Sequence, residues 1–150
     1  MIKERVKNNE TSFWDDGPLN KAHLIANDAD QVGLQAVWSA NYPEGIWHGG
    51  MTLWYASSDT TFQQYGWNYG DDSWTKQEEF KDLNGDAGVA CYTWESDSSV
   101  MYVMFVNTED TVEFWWKDTN TSVSSTEAHP IGRWTKCKSA KSSGRGMYCC

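Results

Sequence analysis

Four strand-length pieces recur in the same order at a spacing of about fifty residues, and a fixed period of that size marks a chain built from stacked copies of one supersecondary unit. The first run is 33–38, 51–56, 61–67 and 73–76; the second is 88–94, 100–106, 111–116 and 133–136. Trp38 answers Trp94, Trp67 answers Trp116, and Trp74-Thr75-Lys76 answers Trp134-Thr135-Lys136, while the connecting loops differ in length. Strands that repeat while loops vary place the loops at the surface.

The pieces read as strands because of what they are made of. The chain has 10 Trp, 7 Tyr and 5 Phe among polar turn residues, a composition that favours many short pleated segments over helices. In Thr52-Leu53-Trp54-Tyr55 and Tyr102-Val103-Met104-Phe105 the apolar run is nearly continuous, as in strands buried on both faces. Ser57-Ser58-Asp59 and Asn107-Thr108-Glu109-Asp110 supply the hairpin turns between second and third strands. Four antiparallel strands in a meander make one blade of a β-propeller, so the expected fold is all-β, with blades in a partial ring or in a ring closed by further copies of the chain. The expected boundaries are an extension over 1–10, a repeat domain over 11–136 and a flexible tail over 139–150. Within that domain a partial blade covers 11–32 and full blades cover 33–80 and 88–138; in the partial blade, Thr11 to Gly17 reads as a strand with its turn and His23 to Ala26 as a fourth strand.

Charge and motif content remove several classes. A formal charge of −9 repels nucleic acid and anionic membranes, so neither is an expected partner. Charged residues occupy five of the first ten positions, where a secretory signal needs an apolar run, and no apolar stretch reaches membrane-spanning length, which gives the expectation of a cytoplasmic chain. Cys91, Cys137, Cys149 and Cys150 have no zinc-site spacing and are expected as free thiols. Asn9-Glu10-Thr11 and Asn120-Thr121-Ser122 match the glycosylation acceptor pattern, which carries meaning only for a secreted chain, and without a signal they read as chance matches. His23, His48 and His129 are far apart, so no metal is expected, and no cofactor. Phosphate loops and nucleophile elbows are missing, and the adjacent acids Asp71-Asp72 and Glu78-Glu79 would point to opposite faces of a strand.

The unit Val100 to Val112, closed by Trp116, resembles a blade of the fungal fucose-specific lectins, six-bladed propellers that hold sugars in clefts between neighbouring blades. The resemblance covers 13–136. It implies a sugar site built from an Arg on the second strand, a Glu or Gln on the third and an aromatic wall from a following segment. By position these are Thr52, Gln64 and Trp74 or Tyr69 in the first unit, with Trp67 closing it, and Met101 and Glu113 in the second. Thr offers one donor and Met none where a guanidinium offers a planar fork, so the resemblance implies a lectin-like protein with weak or absent fucose binding. Two-bladed bacterial relatives of that group close their ring as trimers, which implies a homo-oligomer here.

The loop Asn41 to Gly50 is longer than its counterpart and gathers Tyr42, Glu44, Trp47 and His48, so Trp47 and His48 join the candidate ligand-binding residues. A glycan or another small molecule is the expected partner. Two other readings stand beside it. An aromatic cleft without a cationic anchor also suits a small-molecule enzyme of fungal secondary metabolism, a propeller guiding pericyclic reactions such as a hetero-Diels-Alder cycloaddition. The third is a structural fragment with no ligand.

Overall fold

Aromatic and β-branched runs pair across the two predicted turns, because a run that is apolar on both faces is satisfied only by ladder partners at its sides and packed layers above and below. The computed structural model describes residues 1–26, 34–38, 51–68, 72–94, 97–118, 125–126, 130 and 132–137. Strands β1 (Arg5–Lys7) and β2 (Trp14–Asp16) form a hairpin, followed by one turn of 3-10 helix at Pro18–Ala22. The first four-stranded sheet is β3 (Leu34–Trp38), β4 (Met51–Ser58), β5 (Thr61–Asn68) and β6 (Ser73–Lys81). The second is β7 (Val89–Trp94), β8 (Asp97–Val106), β9 (Val112–Asp118) and β10 (Thr135–Lys136). Both are antiparallel meanders, and among the described residues no sheet closes on itself.

Register defines the repeat. Thr52 pairs with Gly66 in the first sheet and Tyr102 with Trp116 in the second, an offset of fifty residues on both strands. Gly66 pairs with Thr75 as Trp116 pairs with Thr135, so Trp74-Thr75-Lys76 does correspond to Trp134-Thr135-Lys136. The other expected equivalences are one residue out. Trp67 corresponds to Lys117, Trp38 to Thr93, Thr52 to Tyr102, and Gln63, in place of Gln64, to Glu113. Strands apolar on both faces lack the alternation that would fix their phase, and a slip of one residue moves every side chain to the opposite face.

With that correction the layers stack in one direction. Trp54, Ala56, Phe62 and Phe80 of the first sheet pack on Met101, Val103, Phe105 and Trp134 of the second. Leu53 and Tyr55, on the first sheet's other face, pack on Leu19 and Leu24. Their counterparts in the second sheet, Val103 and Phe105, likewise face the layer that precedes them. Full burial of side chains such as Trp54, Phe62 and Phe105 stabilises by roughly 1.5–3 kcal/mol each. The corresponding indoles repeat one contact: Trp74 Nε1 donates to Glu4 Oε2 at 3.4 Å, and Trp134 Nε1 to Gln64 Oε1 at 2.9 Å.

The N-terminal layer differs from expectation. Residues 1–10, read as an extension, supply β1, and His23 to Ala26 forms no strand. Leu24 is instead buried beneath the first sheet, with its carbonyl accepting from Ile2 N at 2.9 Å. Between the sheets, residues 82–88 lace the two hairpin turns together. Leu83 N donates to Thr60 O, Asn84 N to Val106 O and Gly85 N to Asp59 O at 3.1, 2.8 and 2.7 Å. A Cβ at Gly85 would meet the Ser58 carbonyl at 2.3 Å, so only glycine allows this approach. Cys91 is free, but Cys137 is disulfide-bonded, which corrects the expectation of free thiols there. Residues 139–150, expected as a tail, lie outside the described residues.

Candidate functional site

A β-bulge prepares one edge of the inter-sheet space. Gln63 pairs with Glu79 and Tyr65 with Lys76, so β6 carries one residue more than its partner between those pairs. The carbonyls this leaves unpaired are taken up by the buried Gln63 amide. Its Nε2 donates to Gln77 O at 3.2 Å and Glu78 O at 2.8 Å, and also to Gln64 O at 3.0 Å. Gln77 then covers Gly66, where a Cβ would meet its amide at 2.1 Å, and Glu78 is directed toward Lys117 of the second sheet.

Below the bulge lies a cleft of about 470 Å³ between β6 and the β9–β10 edge. Phe80, Trp115 and Trp134 form its apolar wall. Phe80 meets Trp115 at 5.4 Å and Trp134 at 5.5 Å, both edge to face, the geometry ring quadrupoles prefer. Glu78, Glu79, Asp82 and Glu113 bring four carboxylates to the lining, and Lys81, Arg133 and Lys136 three cations.

Glu113 is the organised polar centre. It is 9% exposed, and its Oε1 accepts from Asn107 Nδ2 at 3.1 Å and from Lys136 Nζ at close range, while Oε2 accepts from Trp115 Nε1 at 3.2 Å. Asn107 is fixed by the turn, where its Oδ1 accepts from Glu109 N at 3.0 Å and Thr111 N at 2.9 Å. Burial pushes the Glu113 carboxyl up, but hydrogen bonds from Lys136, Asn107 and Trp115, together with the charge of Lys136, hold it below its ordinary value. Glu113 is therefore a carboxylate at neutral pH, suited to accept hydrogen bonds and unsuited to donate a proton. Lys136 Nζ also lies over Trp115, 5.9 Å from the ring centre, and Lys117 Nζ over Trp134 at 6.0 Å. Burial lowers the Lys117 pKa, opposed by Glu78.

Of the residues expected from sequence, Glu113 lines this cleft. Gln64 is fully buried beside it, holding the Trp134 indole, and among the described residues its own Nε2 and the Trp54 Nε1 have no partner. Thr52 and Met101, taken as equivalent anchors, instead touch each other in the core, Thr52 Oγ1 lying 3.9 Å from Met101 Sδ. Trp67 and Trp74 pair edge to face at 5.7 Å on the first sheet's opposite face. Trp47, His48 and Tyr69 lie outside the described residues. Trp115, Arg133, Trp134 and Lys136 were missed, although Trp134 and Lys136 belong to the one repeat element whose register was read correctly. Among the described residues no group of three metal-binding side chains occurs, and no helix is long and apolar enough to cross a membrane. Compared with family models, curated proteins and solved structures, the chain matches none.

Proposed function

We propose that the two sheets are consecutive blades of a β-propeller-type repeat and that the cleft between them binds a carbohydrate. The observation that carries this reading is the Glu113 centre: an ionised acceptor at the N–H edge of the Trp115 indole, with a guanidinium also in the lining. A pyranose presents hydroxyls around its edge and C–H groups on its face. Glu113 and Lys136 suit the hydroxyls, the Trp115 ring suits the C–H face, and Arg133 supplies the planar donors missing from the second strand. Four carboxylates against three cations leave the lining close to neutral, which favours an uncharged sugar over an anionic one. The blade reading is supported by corresponding faces pointing the same way in both sheets.

The test is a titration of folded protein against a panel of neutral and acidic glycans, followed through tryptophan fluorescence. Arg133→Ala and Trp115→Ala are each expected to weaken binding of a neutral glycan by roughly ten- to a hundredfold, the loss of a charge-assisted hydrogen bond or a stacking surface. Binding unchanged by both substitutions, or no binding to any glycan, overturns the proposal.

A further inference from the structure

We infer that Asn9 is the acceptor of an N-linked oligosaccharide whose first sugar lies against Phe13. The sequon Asn9-Glu10-Thr11 lies at the tip of the β1–β2 hairpin, and all three residues are exposed. The turn is held by its neighbours. Asn8 N donates to Phe13 O at 2.8 Å, Ser12 N donates to Asn8 O at 2.9 Å, and Asn8 Oδ1 accepts from Glu10 N at 2.9 Å and Thr11 N at 3.2 Å. The Asn9 amide takes no part in these bonds, so a sugar attached there displaces none of them.

Two independent observations give the motif its meaning. The disulfide at Cys137 is the thiol state of an oxidising compartment, the setting in which sequons are modified. The second is Phe13, which follows the turn at 74% exposure and leaves an aromatic face uncovered in the bare protein. A sugar ring attached a few residues away offers C–H groups to cover it. In the transfer, the Asn9 amide nitrogen attacks the anomeric carbon of a lipid-pyrophosphate-linked oligosaccharide. The N–C bond forms and the C–O bond to pyrophosphate breaks, its electron pair leaving on oxygen. The amide proton passes to a carboxylate of the transferase, and nothing is oxidised or reduced.

The experiment is translation of the full chain, behind a cleavable secretory leader, into microsomes. Asn120→Gln is present throughout so that Asn9 is the sole sequon. The expected result is an endoglycosidase-sensitive mass step on the protease-protected chain, lost in Asn9→Gln and in Thr11→Ala. A protected chain without that step, or a step that survives Asn9→Gln, overturns the acceptor assignment. For the contact with Phe13, glycosylated and enzymatically deglycosylated protein are melted in parallel. The glycan is expected to raise Tm by about 2–4 °C, the shift expected for ~1 kcal/mol in a domain of this size, and to add nothing in Phe13→Ala. An equal rise in Phe13→Ala overturns the contact.

Discussion

The two sheets share a ladder and differ in chemistry at matching positions. Where the second sheet has Glu113, Trp115, Lys117 and Phe114, the first has Gln63, Tyr65, Trp67 and Gln64. The difference is largest at the first of these. Gln63 is neutral and its amide is consumed by bulge carbonyls of its own sheet, whereas Glu113 is charged and lines the cleft. One backbone position thus stabilises a fold irregularity in one copy and organises a polar cleft in the other. A repeat supplies the geometry, and the side chains divide the labour.

Truncating the two corresponding indoles tests the comparison most severely. Trp134→Ala removes a ring buried between the sheets and is expected to destabilise by about 3–5 kcal/mol in urea unfolding. Trp74→Ala, at the half-buried corresponding position, is expected to cost roughly half as much. Equal losses would mean that the two interfaces are packed alike.

The next contrast is between Gln63 and Glu113. Gln63→Leu strands three carbonyl contacts and is expected to cost about 1–3 kcal/mol at every pH. Glu113→Gln is expected to cost about 1 kcal/mol at pH 7, and this cost depends on pH. Because the folded pKa of Glu113 lies below its unfolded value, its stabilisation is complete above the ordinary carboxyl range and is lost as pH falls through the lowered folded value. Melting curves between pH 7 and pH 3 should converge for wild type and Glu113→Gln, and stay apart for Gln63→Leu.

The smallest effect is chemical and leaves stability untouched. Cys91, which corresponds to Ala36 in the first sheet, has its thiol pushed up to about 11 by burial, with a hydrogen bond to Gln35 opposing the rise. At pH 8 its alkylation in the folded protein should run about a hundredfold slower than in urea, the ratio expected from the thiolate fraction alone. A thiol titrated equally fast in both states would place Cys91 outside the interface.

The all-β class, the four-piece order and the hairpin turns were legible because each rests on local chemistry: aromatic runs, turn residues and a recurring Trp-Thr-Lys. The phase of the strands was not. Tyr102-Val103-Met104-Phe105 is apolar at every position, so nothing in the string says which residues look back at the first sheet, and Met101 was taken for Thr52's counterpart in place of Tyr102. The cleft suffered from the same blindness. Glu113 was found from its place in the resembled site, but Trp115 and Lys136 come together through a two-residue edge strand, and the cleft they face lies below a bulge at Gln77 and Glu78, neither of which leaves a signal in composition or period. In the N-terminal layer β2 was legible within Thr11 to Gly17, whereas β1 was missed because three residues in a charged run are too short for alternation to show.

The one-directional stacking of the layers bears on how the chain is made. Each layer buries its core face against residues that precede it in sequence: the first sheet against the N-terminal segment, the second against the first. During synthesis from the N-terminus, every newly emerged sheet therefore finds its docking surface already outside the ribosome. Only the face of the first sheet that carries Trp54, Phe62 and Phe80 waits, and it waits for the sheet that follows directly in sequence and not for a distant partner. The chain order and the assembly order coincide, and the exposure of sticky intermediates is shortened without help from a more stable end product.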